Sequence, residues 1–183
     1  GTVHLIFQPA EEGGAGAKAM MEAGLFEKYP CHAIFALHNW PDLPHGHMAV
    51  RPGHIMCASV RFEIIISGKG GHGALPHEAI DPIPIACAIV GQLQTLISRS
   101  KDPQDAAVLT VGKIESGIME NIIPDQAKIF GTCRTLTAKT QAVLVEGLHR
   151  VSTGIAQAHA ANAEVKIKYG YPATNNDQVE AKF

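Results

Sequence analysis

Charge is scarce in this sequence. Asp, Glu, Lys and Arg make up 17% of 183 residues, below the ~25% usual for globular proteins. The charge that exists nearly cancels, leaving a formal net charge of −2. A nucleic-acid or anionic-membrane binder needs a basic surplus, so the balance argues against both partners. Long apolar runs are missing too, and no stretch approaches the ~18 residues of a membrane span. No basic segment precedes the apolar start Val3–Phe7, so the beginning does not read as a signal peptide. The 4 cysteines, Cys31, Cys57, Cys87 and Cys133, form no CxxC pair. That removes a local structural zinc site and a disulfide scaffold and leaves buried free thiols in a reducing cytosol. Internal repeats and low-complexity segments are absent.

What is present is a 46% apolar content and 10 histidines, a bias toward imidazole chemistry. The first segment reads strand, turn, helix, strand. Val3 to Phe7 is β-prone and is broken by Pro9 and Gly13-Gly14. Ala15 to Ala23 is rich in helix formers, with Gly24 where a C-terminal cap belongs. Ala33 to Leu37 is wholly apolar. Such a unit predicts parallel βαβ strands covered on both faces.

The pattern then changes. Val60, Phe62, Ile64 and Ile66 alternate with Arg61, Glu63 and Ser67, Ile65 being the exception, as in a half-buried antiparallel strand. A glycine-rich loop, Gly68 to Gly73, follows. Asp81 to Ser98 predicts a helix with Pro82 and Pro84 in its first turn. Ala107 to Ile114 and Gln126 to Thr135 read as strands joined by Ser116 to Pro124. Thr140 to Ala160 predicts a helix with an apolar stripe of Leu144, Leu148, Val151, Ile155 and Ala158. Val165, Ile167 and Tyr169 alternate in a last strand. From Ser59 to Tyr169 the order is β-α-β-β-α-β, a four-stranded antiparallel sheet with two helices on one face. One complete α+β domain is thus expected at about 58–170, inserted into an incomplete parallel α/β domain. A lone βαβ unit cannot bury a parallel sheet, so the chain is expected to be a fragment.

Several residues are equipped for chemistry. Glu11 and Glu12 follow the first strand and His38 follows the second, and parallel sheets bind ligands at those ends. Glu and His ligate zinc-like ions. One carboxylate can hold a cation while its neighbour acts as general base toward water. A bare Glu-Glu pair is also a common solvated helix start. His72, in Gly68-Lys69-Gly70-Gly71-His72-Gly73-Ala74, can donate to a developing oxyanion, or can be an exposed residue of a flexible loop. Asn121 and Arg134 suit a substrate carbonyl and carboxylate, or serve as a turn residue and a surface charge. His77 reads as a cap for the following helix and Trp40 as a packing residue.

The runs LIFQPAEEGGAGAKAMMEAG, ALHNWP, GKGGHGALPHEAIDPI, NIIPD and GTCRT resemble the metal-dependent N-acyl-amino-acid amidohydrolases. Those include hippurate hydrolases, the indole-acetyl-amino-acid hydrolases of plants and N-acetyl-diaminopimelate deacetylases, within the superfamily of carboxypeptidase G and aminoacylase. The resemblance covers nearly the whole chain. It implies a parallel α/β catalytic domain with one or two divalent ions (Zn, Mn, Co or Ni), represented here by residues 1–57. It also implies a lid domain over 58–170 that closes on a small N-acyl amino acid and forms a homodimer, and a return segment over 171–183. It implies Glu11 as general base, Glu12 and His38 as metal ligands, His72 as the histidine polarising the scissile carbonyl, often in the partner's active site, and Asn121 and Arg134 as substrate contacts. A further Cys and His, in a stretch like HACGHD, would precede Gly1, and a late His would follow Phe183. The 183 residues alone are therefore expected to hold metal weakly and to be inactive.

Overall fold

The computed structural model describes residues 1–182. They divide into two units, Gly1–Ile55 with Asn175–Phe183, and Met56–Thr174.

In the first unit, α1 (Gly16–Glu22) is followed by α2 (Leu25–Lys28). Gly24 separates them at φ 86°, its N–H donating to Met21 O at 3.0 Å. A left-handed φ at this point suits glycine, which carries no Cβ. The expected strands Val3–Phe7 and Ala33–Leu37 do not form, and neither does the parallel βαβ unit. A strand exists only through its ladder, and neither run has a ladder partner among the described residues. Val3, Leu5, Phe7, Phe35 and Leu37 are each at least 70% exposed. Gly16 is the sole buried residue in the first 55.

After β1 (Gly53–Met56), the second unit runs β2 (Ala58–Ser67), β3 (Gly71–His72), α3 (Pro82–Thr95), β4 (Ala107–Ser116), β5 (Ile122–Ile123), β6 (Gln126–Thr135), α4 (Ala138–Ala158) and β7 (Asn162–Tyr169); β8 (Thr174–Asn176) follows and pairs with β1. Four strands make one antiparallel sheet in the order β4-β6-β2-β7. Both long helices pack on each other and on β6, so they cover the same face. Val60, Phe62, Ile64 and Ile66 of β2, with Ile129 of β6, meet Ile85, Ile89 and Leu93 of α3 and Leu144 and Leu148 of α4 in one core. Burial at spacings of two on the strands and four on the helices is what these periodicities require.

Each long helix starts on a side-chain cap. Asp81 accepts from Ile83 N–H at 2.9 Å, and Thr137 accepts from Thr140 N–H at 3.2 Å. Asp81 therefore fills the role expected of His77, which lies in a tight turn over Pro76–Glu78. α3 widens into a π-type turn, Leu96–Ser100. Cys87 is exposed because α3 turns Ile85, Ala86 and Ile89 inward instead; only Cys133 of the four free cysteines is buried. Among the described residues no helix is long and apolar enough to cross a membrane.

Candidate functional site

The glycine-rich loop is not loose. Gly71 pairs with Ile123 and His72 with Ile122. Gly73 N–H donates to Asn121 O and Gly68 N–H to Asp125 O, both at 2.8 Å. The Asp125 carboxylate accepts Gly70 N–H at 2.7 Å. Residues 68–73 thus lie antiparallel along 125–121. On the other flank, Lys69 and Ile80 exchange backbone bonds at 2.9 and 2.8 Å. Two glycines are imposed by this crowding. A Cβ on Gly68 would overlap Ile80 O, and one on Gly70 would stand 2.9 Å from Asp125 Oδ1 and 3.0 Å from Ile123 O.

The result is a juxtaposition of His72 and Asn121, 49 residues apart in sequence, on one clamped pair of short antiparallel strands, hairpin-like in shape although α3 and β4 lie between its arms in the chain. Ala74 N–H donates to His72 Nδ1 at 3.0 Å. An amide N–H can only donate, so Nδ1 presents its lone pair and the neutral ring carries its proton on Nε2. His72 is thereby a hydrogen-bond donor through Nε2. An open groove of about 570 Å³ adjoins the hairpin, walled by Gly73, Pro76, Ile118, Met119, Ile122 and Pro124. Ile118 is 89% exposed. Sequence reasoning passed over Ile118, Met119 and Asp125; an apolar pair inside a polar connection was the available signal for the first two.

Arg134 is not part of this cluster. It stands near the far end of β6, opposite Ser59 and Val108, whereas Gln126 at the near end is opposite Ser67. Eight residues of strand at ~3.4 Å each put it about 27 Å from the hairpin end. Its Nη1 donates to Cys133 O at 3.1 Å. Burial pushes the Cys133 thiol up to about 11, against a smaller opposing pull from the Arg134 charge.

In the first unit, Glu11 and Glu12 occupy an exposed turn closed by Gly13 N–H to Glu11 O at 2.8 Å and Gly14 N–H to Ala10 O at 2.9 Å. His38 is exposed, with its ring centroid 6.0 Å from that of Trp40. Its Nδ1 lies 2.7 Å from Asn39 O. A carbonyl only accepts, so here Nδ1 is protonated and, in the neutral ring, Nε2 holds the lone pair. That is the arrangement a cation-binding histidine adopts. The two histidines singled out by sequence thus face opposite kinds of backbone partner, His72 Nδ1 an N–H and His38 Nδ1 a carbonyl. Among the described residues no group of three or more His, Cys, Asp or Glu side chains converges. Glu12 and His38 have the right donor chemistry for a divalent cation but do not complete a site, which takes three or more protein ligands.

Residues 1–183 match peptidase family M20/M25/M40 throughout. The chain is 43% identical over 177 residues to N-acetylcysteine deacetylase of Bacillus subtilis, covering 97% of this chain and 46% of that protein. It is 43% identical over 187 residues to an IAA-amino acid hydrolase of Arabidopsis thaliana, covering all of this chain and 42% of the relative. Among solved structures, a dinuclear metal-binding peptidase of the M20 family from Bacillus subtilis superposes with a TM-score of 0.74 at 38% identity, over 96% of this chain and 43% of that one. The chain spans somewhat less than half the length of these relatives. On this agreement of sequence and fold, the chain belongs to peptidase family M20/M25/M40.

Proposed function

We infer that the whole protein hydrolyses the amide bond of N-acyl amino acids with the help of a divalent cation. The observation that carries this reading is the pair of ring contacts: His38 Nδ1 lies 2.7 Å from a carbonyl, which leaves Nε2 for a cation, and His72 Nδ1 accepts Ala74 N–H at 3.0 Å, which leaves Nε2–H for an oxyanion. Relatives named as deacetylases and amino-acid-conjugate hydrolases support the same substrate class.

Glu12 and His38 contribute to holding the cation, which when bound supplies a water of lowered pKa. Glu11 takes a proton from the attacking water as the carbon–oxygen bond forms and passes it to the amide nitrogen as the carbon–nitrogen bond breaks, so that the acid and the free amino acid leave. His72 donates from Nε2 to the carbonyl oxygen as charge develops there, which is where a fixed donor accelerates most. Asn121 and Arg134 hold the substrate. Because about 27 Å of strand separates the hairpin end from Arg134, one N-acyl amino acid cannot touch both in a single copy. That supports a homodimer through residues 58–170, acting as a lid, in which the hairpin of one copy serves a site completed by Arg134 of another. Residues 1–57 and 171–183 belong on this reading to the catalytic domain. A cytoplasmic setting suits four free cysteines, three of them exposed.

The test is turnover of a panel of N-acyl amino acids by the full-length protein and its Glu11→Ala variant. Loss of a general base is expected to cost about 100-fold or more in kcat. Near-normal turnover by Glu11→Ala would overturn the assignment.

A further inference from the structure

We propose that Asp125 is a positioning residue for His72, transmitting the register of the main sheet to the hairpin that carries the histidine. The proposal rests on the reading of His72 as the oxyanion donor. The hairpin cannot hold itself, since β3 and β5 have two residues each and a short isolated two-stranded pair is marginal in water. Asp125 is placed to supply the missing rigidity. It directly precedes Gln126, whose pairing with Ser67 is the last rung of the β2–β6 ladder. Its backbone carbonyl continues that ladder by one bond, to Gly68 N–H. Its carboxylate then reaches further along the hairpin, to Gly70 N–H at 2.7 Å, two residues before His72.

This contact spans 55 residues of sequence and so is not the local turn-forming bond that Asp commonly makes with its own backbone. Gly70 is shaped to receive it, because any Cβ there would crowd the same carboxylate oxygen. From Gly70 the chain is committed: Gly71 pairs with Ile123, His72 with Ile122, and Gly73 N–H bonds to Asn121 O. The direction of the imidazole then depends on Ala74 N–H at Nδ1. Asp125 touches neither substrate nor reacting atoms; it acts through the hairpin.

Two measurements test this. In the 183-residue chain, amide exchange at Gly70 and the ring-nitrogen shifts of His72 report the hairpin directly. Asp125→Ala is expected to expose the Gly70 amide and to turn the single His72 tautomer into a mixture. Asp125→Asn, which keeps an accepting Oδ1, is expected to preserve both. In the full-length protein, Asp125→Ala is expected to lower kcat about 10- to 100-fold with a smaller change in KM, because misplacement by about 1 Å carries that cost. Asp125→Asn is expected to restore most of kcat. Gly70→Ala pushes the same contact apart from the other side and is expected to repeat the Asp125→Ala result. If Asp125→Ala does not fold, the Gly70→Ala and Asp125→Asn pair decides. Unchanged Gly70 exchange and His72 shifts in Asp125→Ala, or in Gly70→Ala where that variant decides, overturn the proposal, as does an Asn variant as impaired as Ala. A full-length protein inactive on every N-acyl amino acid overturns the functional reading instead, and the amide and ring-nitrogen measurements still decide the role of Asp125.

Discussion

Two glycines on α4 are expected to respond to the same substitution with opposite signs. Gly→Ala in a helix interior relieves the extra backbone entropy of glycine, a gain of about 0.5–1 kcal/mol where space allows. Gly154 is exposed, and a Cβ there would meet nothing within 4 Å, so Gly154→Ala collects that gain. Gly147 is buried, and a Cβ there would stand 2.5 Å, 2.9 Å and 3.2 Å from Cδ2, Cδ1 and Cγ of Leu96. A flexible side chain can often swing away from such a contact. Leu96 cannot do so cheaply: it is 1% exposed and belongs to the core shared by α3, α4 and the sheet. Overpacking of this kind costs about 1–3 kcal/mol. Since three atoms of one isobutyl group are struck together, the upper part of that range applies, and the helix gain offsets only part of it. Gly147→Ala is expected to lose about 1–2 kcal/mol, which leaves the two variants about 2–3 kcal/mol apart. Urea midpoints at constant m-value measure the difference directly. Thermal melts should separate by roughly 4–12 °C for a chain of this size. A Gly147→Ala variant as stable as Gly154→Ala would refute the packing of Leu96 against α4.

Other expectations follow from the same structure. Cys133, raised to about 11 by burial, should resist alkylation at pH 8 in the native state, while Cys31, Cys57 and Cys87 react; labelling of Cys133 without denaturant counts against its burial. Its folded value lies above the unfolded 9.0, so its contribution to stability is complete below pH 9 and is lost as pH rises toward 11. Cys133→Ala should flatten the fall in urea midpoint across that window. With no group of three or more His, Cys, Asp or Glu side chains converging among the described residues, the 183-residue chain should retain less than one equivalent of zinc or manganese after dialysis, measured by elemental analysis. Stoichiometric retention would show that the donor set is larger than described.

The second unit was legible from sequence because its burial is periodic. Val60, Phe62, Ile64 and Ile66 announce β2 by alternation, and Pro82 and Pro84 mark the first turn of α3, whereas the caps Asp81 and Thr137 went unread and the cap of α3 was assigned to His77. Ile65 interrupted the pattern and is buried nonetheless, at 8% exposure. The first unit was misread because continuous apolar runs such as Ala33–Leu37 encode a strand only where neighbours complete the ladder. At the site, residue types were legible and placement was not. Nothing local in GKGGHG reveals a clamp by a carboxylate 55 residues away. Nothing in Asn121 and Arg134, 13 positions apart, reveals that a straight strand separates them. The tautomers of His38 and His72 were invisible for the same reason, since each is decided by one backbone partner whose orientation only the folded chain supplies.

That strand, β6, has a further consequence as a ruler. It joins Asp125, the anchor of the hairpin, to Arg134 through an unbroken ladder with β2, so their spacing can change only in discrete steps. Removing one residue would turn every side chain beyond the cut to the opposite face, exchanging core for solvent. Removing two would preserve the faces and shorten the span by about 7 Å. Changes in the connection over 117–120 would leave this span as it is. On the proposed function, the length of β6 is the dimension that sets how far the donor at His72 stands from the substrate contact at Arg134.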